Sequence, residues 1–445
     1  MPKLREIRIP AETTPATARI QQAIDTAATG PVRVILETGR HKSAGLVLRS
    51  DVELRLEKNA ELCFDADYDS YGRVFVFAEE SDRAMISASG ASRIALTGQG
   101  RIMADSAAFV TGDDAEMGTR IPARFRPRLL VLDGCSDVSL SGITVTNSPM
   151  WTLHFVNCTH VSVHAVRVDN DRRMPNTDGI VIDACRDVRI AECDISTADD
   201  GIVLKTSLRD DGRIAGTCER VTVTACRVLS RSCALKVGTE SFGAFRELTF
   251  EDCDIIDSNR GLGIFSRDGG TVEHVRFSNI RLECRETPAG FWGSGEALTI
   301  NSIDRRPETR PAGKISDIVA ENITGTMEGA INLYAECEGG IENVTIRNVS
   351  LRQAPGVFGT ARAYDLRPTP ADLETAPDEA GRANAWRKGP DGRVIGLVDY
   401  PGGMPVLFAR NIAGLTCDNV TIERPVPLPP GFNDRSMLIV DSPEQ

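Results

Sequence analysis

A nine-residue pattern recurs along the chain and limits it to very few architectures. Its form is (small or apolar)-x-x-V-x-I-x-x-(apolar). It reads CSDVSLSGI from Cys135, CTHVSVHAV from Cys158, CRDVRIAEC from Cys185 and CERVTVTAC from Cys218. It continues as FRELTFEDC from Phe245, VEHVRFSNI from Val272, ISDIVAENI from Ile315, IENVTIRNV from Ile341 and IAGLTCDNV from Ile412. Most starts lie 23 to 33 residues apart, with longer gaps after Val272 and Ile341. Apolar residues alternate inside each unit, as in a strand with one buried face. A short strand repeated at that spacing cannot bury its own face alone, so the coils must stack. The expected fold is all-β, a parallel β-helix.

Registering the units gives columns. One holds Cys135, Cys158, Cys185, Cys218, Phe245, Val272, Ile315, Ile341 and Ile412. Another holds Ile143, Val166, Cys193, Cys226, Cys253, Ile280, Ile323, Val349 and Val420. Just before the second column come Asn279, Asn322, Asn348 and Asn419, which predicts an amide ladder along a turn. Of the 12 cysteines, eight fall in inward positions, Cys417 included, and read as small reduced packing residues. No CxxC or CxxH pair occurs, so neither a metal nor a cofactor is expected. Unpaired thiols also suit a cytoplasmic home.

The ends differ from the middle. TTPATARIQQAIDTAATG has helical apolar spacing at Ala18, Ile20, Ala23 and Ile24, with Thr14 as N-cap, Pro15 in the first turn and Gly30 closing. This helix is expected to cap the open end of the solenoid, within a first section of about 50 residues. From about 354 to 404 the repeat is lost to Pro, Gly and charge, either as an excursion over the groove or as a loose loop. Residues 1–445 are otherwise read as one β-helix domain. The formal charge of −12 argues against nucleic-acid binding. Without an apolar run of ~18 residues no membrane-spanning helix is expected. The start, MPKLREIRIPAETTP, lacks an apolar signal-peptide stretch, which again predicts a cytoplasmic location.

A second alignment carries the chemistry. DGIVI at 178–182, DGIVL at 200–204, CALKV at 233–237, RGLGI at 260–264 and EALTI at 296–300 place Asp178, Asp200, Cys233, Arg260 and Glu296 in one stripe. Neighbouring strands stand ~4.8 Å apart, so Asp178 and Asp200 share adjacent rungs, with Asp199 beside them. Crowded like charges favour keeping one carboxyl protonated, which makes a general acid. Asp-Gly is also ordinary turn chemistry. Its repetition in register on consecutive coils favours a site.

NTDG at 176–179 and ADDGIVLKT at 198–206, supported by SPMWTLHF at 148–155, resemble glycoside hydrolase family 28, the polygalacturonases and rhamnogalacturonan hydrolases. The resemblance spans roughly residues 15–430. It implies a right-handed helix and inverting hydrolysis, with Asp199 protonating the glycosidic oxygen and Asp178 and Asp200 activating water. Spacing alone, on adjacent rungs, would suggest retention. Two departures stand out. The family's Gly-His-Gly is Ser232-Cys233-Ala234 here, with Cys233 read as a filler. The family's Arg-Ile-Lys, which grips a uronate carboxylate, is Gly263-Ile264-Phe265, and phenylalanine cannot replace a bidentate arginine.

Other groups are therefore candidates for substrate contact. Asn176 belongs to the NTDG motif. Lys205, Lys236 and His154 point outward near the carboxylates. Arg260 lies in the stripe and Arg267 follows it. Trp292 offers a face for a sugar and Glu296 a hydroxyl partner, while Asn301 and Tyr334 extend the same outward rows. The expected ligand is an oligosaccharide, acidic sugars included, cut from an end by a glycosidase of pectin degradation. Two other readings compete: a polysaccharide lyase using Lys236 or Arg260 with Ca²⁺, and a glycan-binding solenoid without activity.

Overall fold

The computed structural model describes residues 4–78, 81–288, 291–360, 363–373 and 388–440. They form a right-handed parallel β-helix with one extended sheet of 21 strands and a second of 13. A typical coil contributes Thr159–His164 and Arg167–Asp169 to the first sheet and Ile180–Asp183 to the second. The nine-residue pattern marks the first of these strands. Its inward residues stack in register, Val161 on Val188 and Val188 on Val221, and are almost wholly buried. Each such side chain contributes about 1.5–3 kcal/mol by leaving water, so the stack is continuous from coil to coil.

The corner between the first two strands needs one left-handed residue per coil. Ala165, Glu192, Ala225, Asp252, Asn279, Asn322, Asn348 and Asn419 occupy it, with φ from 49° to 56°. Asparagine tolerates this conformation best among residues with a side chain. The expected amide ladder forms: Asn322 Nδ2 donates to Asn279 Oδ1 at 2.9 Å, Asn348 to Asn322 at 3.3 Å and Asn419 to Asn348 at 2.9 Å.

The cysteine columns face inward, with Cys135, Cys158, Cys185, Cys193, Cys218, Cys226 and Cys253 all buried and free. Cys417 departs from the expectation. It pairs in register with the buried Ile346 but is exposed. Its strand, Ile412–Glu423, is the last rung of its sheet among the described residues, so no further coil covers it.

The capping helix is Thr17–Asp25, with Ile20, Ala23 and Ile24 buried. It starts later than its sequence suggests. Ala16, not Thr14, is the N-cap, Ala18 is exposed, and tertiary bonds fix the start. The Ala16 amide donates to Lys42 O at 2.7 Å and the Ala44 amide to Thr17 Oγ1 at 2.8 Å. Gly30, at φ 142°, ends the following 3-10 turn, Thr26–Thr29.

The non-repeat segment is an excursion over the second sheet, although residues 361–362 and 374–387 lie outside the described residues. Ala363–Asp365 pairs antiparallel with Leu397–Asp399. Tyr364 and Tyr400 pack on Phe408, and Tyr400 Oη donates to Asn332 Oδ1 at 2.7 Å. A hairpin, Val110–Asp114 with Thr119–Pro122, rises on the N-terminal side. It is tied down by Arg231 Nη1 donating to Gly118 O at 2.8 Å. Lys388 and Glu116, 2.8 Å apart, join the two outgrowths. Among the described residues no helix is long and apolar enough to cross a membrane.

Candidate active site

The second sheet carries the site. Ile180 pairs with Ile202, Ile202 with Leu235, Leu235 with Leu262 and Leu262 with Leu298. This register keeps Asp178, Asp200, Cys233, Arg260 and Glu296 in line, and Cys233 faces Arg260 directly. The Asp-Gly pairs are not left-handed turns. A Cβ on Gly179 would fall 2.6 Å from both Gly201 O and Ile195 Cγ2, and one on Gly201 2.3 Å from Val228 Cγ1. Glycine is there because the neighbouring coil and the core approach too closely for any side chain.

One oxygen from each of Asp178, Asp199 and Asp200 lies within 4.8 Å of the other two. All three residues are at most 1% exposed. Asp199 accepts from the Asn176 amide at 3.2 Å and the Asp200 amide at 3.0 Å. Asp200 accepts from Ser232 Oγ at 2.9 Å and Lys236 Nζ at 2.7 Å. Lys205 Nζ stands 3.5 Å from Asp178 and donates to Glu240 Oε2 at 2.6 Å, over the ring of Trp151. Burial works against the Lys205 cation, but Glu240, Asp178 and Asp200 outweigh it and raise its pKa. Glu240 reaches this point because a bulge at residues 238–240 interrupts the register after Val237. Gly238, at φ 94° with Phe265 O 2.2 Å from where a Cβ would be, makes the bulge possible.

The structure thus brings Asp178, Asp199, Asp200, Asn176, Lys205 and Lys236 together. Asn176 also fixes the corner, its Oδ1 accepting from Arg126 Nη2 at 2.6 Å. Arg260 and Glu296 form a second cluster along the stripe. Arg260 Nη2 lies 2.7 Å from Asp365 and Nε 3.7 Å from Glu296. Burial raises the Glu296 pKa against the pull of Arg260. Asp365 also holds Arg367, whose guanidinium covers Trp292 at 4.8 Å. Trp292 is 7% exposed, so it reads as a wall under the excursion, not an open stacking face.

Two expected contact residues sit elsewhere. His154 is in the outward row but fully buried, between Arg128 Nη1 at 2.9 Å and Asp183 Oδ2 at 3.3 Å. Burial lowers its pKa to about 4, and Arg128 adds to this although Asp183 opposes it. The ring is therefore neutral and braces the coil. Arg267 turns away from the carboxylates, its guanidinium donating to Pro368 O, Ser266 O, Asn301 O and Leu366 O at 2.9–3.3 Å. It anchors the excursion. Cys233 is wholly buried, and burial pushes its thiol pKa up, with Asp200 adding to the effect. Burial and a raised thiol pKa fit the expected uncharged filler.

Sequence reasoning missed Ser232, Glu240, Asp183, Asp365 and Arg367. Ser232 was readable as the stripe's neighbour. The others arrive through a bulge, a buried brace and the excursion, which no repeat marks. The three aspartates are also the group among the described residues that could hold a cation. Two ammonium groups already compete for that position.

The sequence profile of Glycosyl hydrolases family 28 matches residues 42–362. A probable polygalacturonase of Vitis vinifera is 26% identical over 266 residues, 57% of this chain and 53% of that protein. A Juniperus ashei polygalacturonase is 28% identical over 53% of this chain and 45% of that protein. The chain spans about half the length of these relatives. It covers more of an endo-polygalacturonase of Pectobacterium carotovorum subsp. carotovorum, 24% identical over 77% of this chain and 85% of that one. The solved exopolygalacturonase of Thermotoga maritima is similar in fold, with TM-score 0.65 and 20% identity over 79% of this chain and 87% of that chain.

Proposed function

Since the chain belongs to glycosyl hydrolases family 28, we propose that it hydrolyses glycosidic bonds of pectin-type oligosaccharides, galacturonate- or rhamnose-containing, by exo-action with inversion. The observation that carries this reading is the group of three buried carboxylates, Asp178 and Asp200 aligned on adjacent coils with Asp199 beside them. Asp199 donates the proton to the leaving oxygen. Asp178 and Asp200 hold and deprotonate the attacking water. A lysine stands beside each of these two, an arrangement that suits an anionic base. The short separation alone would fit retention, whereas a water shared by two carboxylates fits inversion and the family pattern.

Exo-action is supported by the two outgrowths. The excursion covers the stripe from Arg260 onward through Asp365, and Lys388 with Glu116 ties it to the hairpin. A long polymer has no straight course across such a surface. The free, mostly buried cysteines suit a reducing compartment, and the proposed setting is cytoplasmic breakdown of short chains. Lyase chemistry is disfavoured because both candidate bases are committed to carboxylates, Lys236 to Asp200 and Arg260 to Asp365.

The test is a panel of oligogalacturonides, rhamnogalacturonan fragments and neutral oligosaccharides, followed by proton NMR. Release of single sugars from one end with inverted configuration is expected. Absence of cleavage across the panel overturns the reading.

A further inference from the structure

We infer that Lys236 is the positioning residue for Asp200, taking the place left by the histidine that the family pattern has at Cys233. The inference rests on the hydrolase reading above. Both oxygens of Asp200 are fixed from one short stretch of the next coil, Oδ1 by Ser232 Oγ at 2.9 Å and Oδ2 by Lys236 Nζ at 2.7 Å. Cys233 lies between these two residues in the sequence but turns its sulfur toward Leu235 O at 3.5 Å. The polar grip on the base has moved three residues along the strand.

The two other departures from the family pattern make room for that lysine. Gly263 is the neighbour of Lys236 on the following coil. A Cβ at Gly263 would lie 2.4 Å from Phe265 Cε2 and 2.8 Å from Cys233 Sγ. The Phe265 ring therefore folds back over Gly263, and only glycine permits it. Lys236 Nζ lies 5.3 Å from the centre of that ring, within the range of a cation–π contact. Cys233, Lys236, Gly263 and Phe265 interlock, and together they aim one ammonium group at one carboxylate. A flexible lysine needs such a wall, because its stem otherwise samples many rotamers.

The experiment measures kcat and KM for Lys236→Ala on the oligosaccharide the wild type cleaves, then titrates in n-propylammonium. The expected result is a kcat lower by about 10- to 100-fold, part of the 10²–10⁴ that acid–base catalysis supplies, with KM changed less than about threefold. Propylammonium should restore kcat in a saturable way, and tetramethylammonium, which has no N–H to donate, should not. A loss confined to KM makes Lys236 a substrate contact and overturns the inference. So does a folded variant that propylammonium fails to rescue. Gly263→Ala is the second variant, for use if Lys236→Ala does not fold. It keeps the lysine but displaces the ring, so its kcat should also fall, and an unchanged kcat overturns the inference. An inactive wild type sinks the hydrolase reading. An active wild type with an unaffected Lys236→Ala sinks only this one.

Discussion

The ammonium group of Lys205 sits 2.6 Å from Glu240 Oε2, on a coil that reaches it only through a bulge. The same nitrogen is 3.5 Å from Asp178. Lys205 is 1% exposed, so its charge depends on these partners. Lys205→Met should lower stability by about 3 kcal/mol, the scale for breaking a buried pair from one side. Adding Glu240→Gln should recover part of that loss, because one stranded charge is removed. Denaturant unfolding of the single and double variants checks this, and additive losses would mean the two groups are not coupled.

His154 should make the fold acid-sensitive. Its folded pKa of about 4 lies below the ordinary 6.5 because burial penalises the cation, with Arg128 adding to it. The stability it contributes is complete above pH 6.5 and is lost as pH falls toward 4, since the unfolded chain takes up the proton first. His154→Gln can still accept from Arg128 and donate to Asp183. Its melting temperature should therefore fall less steeply than that of the wild type between pH 6.5 and 4. Parallel curves would exclude His154 as the cause.

At the exposed corner, Asn322 combines φ 55° with bonds to Asn279 and Asn348. Asn322→Ala should cost about 1–3 kcal/mol, from left-handed strain and two lost ladder bonds. Asn322→Gly should cost less, because glycine accepts that φ freely. Equal losses in urea titrations would show that the backbone conformation is not the main term.

Much of this molecule was legible in its sequence for one reason. Stacked coils put equivalent residues in contact, so columns such as Val161, Val188 and Val221 appear as a written period. The asparagine ladder and the Asp178–Asp200 stripe follow from the same register. The contacts that decide side-chain roles obey no period. Glu240 is displaced by a bulge, and Asp365 and Arg367 come from an excursion. His154 looked like a groove residue because alternation gives direction, not depth. Arg128 and Asp183 bury it from both sides. Cys417 shows the converse, an inward position left exposed at the last described rung of its sheet.

Activity should not depend on a divalent cation. Lys205 and Lys236 already stand at two of the three carboxylates, whereas Ca²⁺ requires six to eight oxygen ligands. Dialysis against a chelator should leave kcat unchanged, and the products should show no absorbance from an unsaturated sugar. Loss of turnover with chelator and recovery with Ca²⁺ would favour the lyase reading.

The division of labour among the three aspartates is most directly tested by Asp199→Asn on two substrates. One is the natural oligosaccharide; the other carries an activated aryl leaving group that departs with little protonation. The amide is nearly isosteric with the acid, and its one oxygen keeps one of the two backbone bonds, which the Asn176 and Asp200 amides make to Oδ2 and Oδ1 respectively. On the natural substrate kcat should fall by the 10²–10⁴-fold typical of a lost general acid. On the aryl substrate much of that loss should disappear, while Asp178→Asn and Asp200→Asn remain impaired on both. Recovery in the Asp178 or Asp200 variant, or equal losses in all three whatever the leaving group, would contradict the assignment of Asp199 as the acid.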